Sequence, residues 1–180
     1  MAAAPKTVYA KDYKKPEYLI DSVDMTFDLG MEKTAVAAQM RVRRAPETPE
    51  HAPMRLDGEE LVLKGVAVNG TPLTERDYTL SDEGIILRDP PESFTLSIET
   101  EINPSANTKL QGLYASGGIL CTKCETHGFR RITFFPDRPD IMPVWRTTLI
   151  ADKATLPVLI SNGNMESAAD LPDGRRKAVF

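Results

Sequence analysis

The strongest constraint on this chain is a period of two. Apolar side chains fall on alternate positions at Val23, Met25, Phe27 and Leu29, and again at Val36, Ala38, Met40 and Val42. Asp24, Thr26 and Asp28 fill the gaps in the first run, and Ala37, Gln39, Arg41 and Arg43 fill them in the second. Successive side chains of an extended chain point to opposite faces, so this pattern predicts two half-buried strands. Gly30 to Lys33 between them supply the turn, and the two runs read as a long hairpin.

The same period returns along the chain. Pro46, Pro49 and Pro53 place a loop over 45–53. Leu61, Leu63, Val66 and Val68 then read as a strand with a bulge at Gly65. Asn69-Gly70 predicts a tight hairpin, because both residues tolerate the positive φ of a type I′ turn. Tyr78 and Leu80, a turn at Asp82-Glu83-Gly84, and Ile85 to Leu87 follow. Phe94, Leu96, Ile98 and Ile102 alternate with polar residues as one more strand. Later strands are expected at Trp145 to Ile150 and at Pro157 to Ile160, with a turn at Ser161-Asn162-Gly163-Asn164. Arg175 to Phe180 reads as the start of another strand. Up to Ile102, no window keeps apolar residues at helical spacing for three turns. The expected fold class is therefore all-β, an antiparallel β-sandwich.

One domain of 180 residues suffices for this pattern. Residues 1–15 carry four lysines without periodicity and are expected to form a loose arm, with Pro16 barring a helix there. Residues 16–180 form the β domain. A net charge of -4 argues against a nucleic-acid partner. The clusters Arg41, Arg43, Arg44 and Arg175, Arg176, Lys177 read as solvated faces. No apolar run reaches eighteen residues, so no membrane span is expected. The N-terminal residues lack the apolar core of a secretory signal. Two cysteines make no disulfide scaffold, and a reducing cytoplasm is the expected compartment.

Chemistry-bearing residues concentrate in 121–140: Cys121-x-x-Cys124, Glu125, His127, Arg130-Arg131 and Phe134-Phe135. A structural zinc needs four ligands. The cysteines supply two, and His51 and His127 are the other candidates. A thioredoxin-type pair needs a βαβ context that this region lacks. Packed thiols bracing a loop are the plainer reading. The histidines lie 76 positions apart and neither precedes a Glu, so no H-E-x-x-H site can be assembled. A nucleophile elbow and a P-loop are absent as well. Glu125 reads either as an exposed surface carboxylate or as a carboxylate that binds a cation, and the residues alone leave both open.

The run Cys-Thr-Lys-Cys-Glu-x-x-Gly-Phe-Arg-Arg-Ile-Thr-Phe-Phe-x-Asp-Arg-Pro-Asp over 121–140 resembles the N-terminal domain of the aminopeptidase N family, the bacterial-type branch of the zinc metalloaminopeptidases of the gluzincin clan. Tyr18 to Leu29, Asn103-Pro-x-x-Asn107-Thr108, Gly112-Leu113-Tyr114-x-Ser116, Ala151-Asp152-Lys153 and Pro157-x-Leu159-x-Ser161-Asn162-Gly163-Asn164 resemble it too. The resemblance runs from about residue 8 onward. It implies saddle-like β sheets at the front of a multi-domain exopeptidase that removes N-terminal residues from peptides. It also implies that zinc is held by a following catalytic domain whose H-E-x-x-H and Gly-Ala-Met-Glu-Asn motifs are not in this sequence. One or two strands would follow Phe180 before that domain. No zinc ligand, no catalytic residue and no cofactor of its own is then expected here, and the fragment alone is expected to be inactive. The expected partners are peptide substrates and the catalytic domain.

One role carries over by resemblance. The Glu of Cys-x-x-Cys-Glu, here Glu125, is implied to bind the substrate α-amino group. Most of the family has Gln between the cysteines, where it lines the first-residue pocket, and this chain has Lys123 instead. The alternative function is a non-catalytic β-sandwich module that docks another protein. A small zinc or redox protein built on Cys121 and Cys124 is the third reading.

Overall fold

The computed structural model describes residues 9–180. Thirteen strands appear among the described residues: β1 (Tyr18–Leu29), β2 (Thr34–Arg44), β3 (Met54–Asp57), β4 (Val62–Val68), β5 (Thr71–Pro72), β6 (Tyr78–Ser81), β7 (Gly84–Leu87), β8 (Ser93–Ile102), β9 (Gly112–Ser116), β10 (Ile119–Lys123), β11 (Val144–Asp152), β12 (Ser167–Asp170) and β13 (Arg175–Val179). The helical content of these residues is three 3-10 turns. No helix among them is long and apolar enough to cross a membrane.

The long hairpin is the centre of the fold. β1 and β2 pair antiparallel, with Phe27 opposite Val36, Met25 opposite Ala38 and Val23 opposite Met40. The apolar positions of β1 slip phase, running Tyr18, Ile20 and then Val23, Met25, Phe27. A register shift between Ile20 and Ser22 absorbs the slip. Without that extra residue one of the two sets would turn to solvent. β8 pairs with the other edge of β2, and the eight-stranded sheet runs β12-β13-β11-β1-β2-β8-β4-β5. Burial alternates strictly along β2 and β8. Met40 and Leu96 are fully buried, whereas Gln39, Arg41 and Glu99 are exposed on the other face.

A second sheet, β3-β7-β6, covers the apolar face. It brings Met54, Leu56, Ile85 and Leu87, each at most 1% exposed, into one core with Met40, Leu96 and Ile98. The two layers make the expected β-sandwich. Asn69 and Gly70 take φ of 51° and 79°, as the type I′ turn between β4 and β5 requires. β4 shifts register between Leu63 and Gly65, where a bulge was expected. Arg175–Val179 is a whole strand that pairs with both β11 and β12.

The structure departs from expectation in several places. β1 and β11 run parallel, with Ser22 opposite Val144 and Leu29 opposite Ala151. β3, the β9-β10 hairpin and β12 are strands where none was expected. Pro157 to Ile160 is not a strand. Its alternation is genuine, since Leu159 is buried while Val158 and Ile160 are 73% and 78% exposed. It lacks a ladder because β1 and β13 already occupy both edges of β11 and Pro157 has no N–H to donate. Of the expected loose arm, residues 1–8 lie outside the described residues. In the remainder, the Tyr13 hydroxyl donates to Asp140 at 3.0 Å and the Lys14 carbonyl accepts from Arg138 at 2.7 Å.

Because Met40 is fully buried at the centre of the sheet, Met40→Ala should cost about 2–5 kcal/mol of stability. The adjacent outward-facing Arg41→Ala should change it by no more than about 0.5 kcal/mol. Urea unfolding of both variants checks the contrast.

Candidate functional site

The 121–140 stretch divides into a hairpin arm, a tip and a brace. β9 and β10 form a hairpin closed by Gly117-Gly118 at φ 57° and 83°, which places Cys121 opposite Tyr114 and Lys123 opposite Gly112. The chain then turns back, with the Gly128 amide donating to the Cys124 carbonyl at 2.9 Å. A Cβ on Gly128 would lie 2.5 Å from the Lys123 carbonyl oxygen and 2.7 Å from Cys124 Cα, so only glycine fits. Glu125, Thr126 and His127 form the exposed tip, and the Glu125–Thr126 peptide is cis.

The brace follows at once. Arg130 Nε donates to Asp137 Oδ2 at 3.0 Å and its Nη2 lies 3.6 Å from Asp57 Oδ2. Arg131 donates through Nη1 to Glu60 at 2.7 Å and through Nη2 to Glu59 at 2.6 Å. Backbone bonds between Asp57 and Phe135, in both directions, fix the same segment to β3. The rings of Phe129 and Phe135 pack 5.0 Å apart, and Trp145 lies 5.1 and 5.4 Å from them. The buried Thr100 hydroxyl donates to the Ile132 carbonyl at 3.0 Å. The paired arginines thus hold the loop to the sandwich, a role the sequence did not disclose for Arg131 because its partners lie 71 and 72 positions away.

Beside the hairpin is an open cleft of about 550 Å³, lined in part by Leu120, Thr122, Cys124, Phe129 and Trp145. Alternation along β10 turns Leu120, Thr122 and Cys124 toward this cleft and Cys121 and Lys123 away from it. A larger hollow of about 830 Å³ lies across the brace, between Arg55, Glu59, Glu60 and Glu83, and does not include Glu125. Most of its charges are paired, Arg55 with Glu83 at 3.2 Å and Arg131 with Glu59 and Glu60. That arrangement suits a surface held together better than one awaiting a ligand.

The alternation also bears on the thiols, which lie on opposite sides of the arm and are both free. His51 is engaged with Asp89 at 2.9 Å, and His127 sits at the exposed tip. No group of three or more His, Cys, Asp or Glu side chains able to hold a metal occurs among the described residues. Burial, with a smaller push from Asp137, raises the Cys124 thiol to about 11. A proton held more tightly in the folded state stabilises the fold fully below the unfolded thiol's pKa, and that contribution is lost as pH rises through the folded value. Domain stability should therefore fall between about pH 9 and about pH 11. Peptide-resolved alkylation should find Cys124 slow at pH 8 and faster only as pH approaches 11.

Similarity to known proteins extends over this whole arrangement. The aminopeptidase N of Escherichia coli (strain K12) is 43% identical over 175 residues, covering 97% of this chain and 20% of that protein. A crystal structure of Legionella pneumophila aminopeptidase A in complex with aspartic acid matches 94% of the chain and 20% of its own, at 32% identity and a TM-score of 0.88. The M1 zinc metallopeptidase of Deinococcus radiodurans, as an E323A mutant bound to a Tyr-Ser-Ala substrate, shares the fold at a TM-score of 0.75 and 13% identity, over 91% of this chain and 39% of that one. The chain spans about one fifth of the length of the curated relatives it matches. Residues 20–180 match the Peptidase M1 N-terminal domain, and the chain belongs to that family.

Proposed function

We propose that this domain works within a zinc aminopeptidase, an exopeptidase that removes N-terminal residues from peptides, and that Glu125 receives the α-ammonium group of the substrate. One observation carries the reading. Glu125 stands exposed at the tip of a loop whose base is held by ion pairs, a β-bridge and an aromatic cluster. A carboxylate held this way can measure the distance to a chain end. A free N-terminus brings a cation to meet it, whereas an internal peptide bond brings none and leaves the carboxylate unpaired.

The donor set of this chain does not suit the zinc of such an enzyme, since the two thiols face apart and no third His, Cys, Asp or Glu groups with them among the described residues. Zinc would belong to the catalytic domain, and the residues here would bind and orient the peptide. That domain is the proposed partner. The exposed Met142, Val144 and Ile160, with half-exposed Trp145 on the cleft rim, offer it an apolar surface. The same residues support the second reading, a non-catalytic docking module.

Losing a charged hydrogen bond costs about 1.5–3 kcal/mol. Glu125→Ala in the full-length enzyme should therefore lower kcat/KM for aminoacyl amides by about 10- to 150-fold. Steady-state kinetics checks this, and an unchanged kcat/KM would remove the anchor and favour the docking module.

A further inference from the structure

Arg131 bears on both sides of the arm that carries Glu125. Its amide donates to the Gly128 carbonyl at 3.1 Å, and the Gly128 amide donates to the Cys124 carbonyl at 2.9 Å. Glu125 follows Cys124 directly, one peptide unit beyond that second bond. On the other strand, Gly112 opens β9 and stands opposite Lys123. A Cβ on Gly112 would lie 2.7 Å from the Arg131 Cβ and 3.1 Å from the Gly128 carbonyl oxygen. The base of the arm is thus pressed against Arg131 with no side chain between. Beyond it the guanidinium reaches Glu59 and Glu60 at 2.6 and 2.7 Å. The Glu59 amide grips the same turn, donating to the Arg130 carbonyl at 3.0 Å.

Stability alone is a poor account of this residue. The Arg131 side chain is 10% exposed, and its Nε is buried with no hydrogen-bond partner among the described residues. Desolvating a guanidinium and orphaning one of its donors offsets much of what its ion pairs contribute. Well-packed apolar residues often replace such a group without loss of stability. What an apolar side chain lacks is direction. A planar fork closed on two carboxylates fixes both the place and the orientation of its own stem. We infer that Arg131 is a positioning residue for the proposed peptidase reaction, fixing, through Gly128 and Gly112, the point at which the Glu125 carboxylate meets the substrate α-ammonium. The inference rests on the anchoring role of Glu125 proposed above. A hydrogen bond weakens steeply with lost alignment, so a displaced arm loses first the contact that reads the free chain end.

The test uses the full-length enzyme and two competitive inhibitors, leucine hydroxamate and its desamino counterpart, 4-methylpentanoyl hydroxamate. They differ in the α-amino group alone, so the ratio of their inhibition constants reports the ammonium contact and does not depend on how much enzyme is folded. The wild type should bind the amino compound more tightly, and Glu125→Ala should bring the ratio near one. Arg131→Gln should cut the ratio roughly tenfold, and Arg131→Lys, which keeps the charge without the fork, should recover part of it. Glu59 and Glu60 are 38% and 62% exposed, so the double variant Glu59→Ala/Glu60→Ala opens the fork at the surface. It should lower the ratio in the same direction, and it carries the test where Arg131→Gln does not fold. An unchanged ratio in Arg131→Gln, or in the double variant in its place, while Glu125→Ala abolishes the preference, overturns the positioning role and leaves the anchor standing. A preference that survives Glu125→Ala, or a wild type without one, overturns the anchor itself and the inference with it.

Discussion

Everything in this domain depends on the one-sided burial of three long strands. β1, β2 and β8 present an apolar face from Tyr18 to Ile102 that water must not reach. Burying such a face is the dominant favourable term in folding. A sheet of this width cannot cover itself, so something must be laid across it. The cover is assembled from two unlike parts: the small β3-β7-β6 sheet, and the segment from Ile132 to Phe135 that threads beside it. The second part begins five residues after His127, where the tip that carries Glu125 ends. The loop that presents the candidate chemistry is therefore continuous with the lid of the core, and its position is tied to the packing of the whole sandwich.

That continuity explains why the chemistry-rich stretch is mostly architecture. Arg130 and Arg131 stand in the middle of the chemistry-bearing stretch, yet their charges close on acids of the same chain. Arg131 is 10% exposed, and a guanidinium so sheltered needs partners, because an uncompensated buried charge is far more costly than a buried pair is helpful. The Cys-x-x-Cys motif meets a similar fate. Period-two geometry sends its two sulfurs to opposite sides of β10, and burial keeps one of them protonated.

The fold was legible wherever a single strand carries its own evidence. The alternation of β1, β2 and β8, the Asn69-Gly70 turn and the Gly65 bulge are local signals, and local sterics enforce them. Among the features that were not legible, three fail for related reasons. The parallel pairing of β1 with β11 joins segments more than a hundred residues apart, and nothing in either run specifies its neighbour. β3 has only Met54 and Leu56 to alternate with, too short a run to be separated from a loop. Pro157 to Ile160 shows the converse: alternation reports that one face is buried, but not that a sheet edge is available for hydrogen bonding. At the site, the family resemblance picked out Glu125 and Lys123, while composition left both as ordinary surface charges.

What the structure adds at the site is contrast. An exposed carboxylate is common and by itself signifies little, since most charged side chains sit in water. Glu125 is distinguished by its surroundings. Within a few residues, each acid tied into the brace has an arginine partner, each bulky ring is packed, and the one turn that could relax is pinned by a glycine that accepts no side chain. A braced base beneath an exposed carboxylate is what the proposed anchor would require, because a preorganised group loses little freedom on binding.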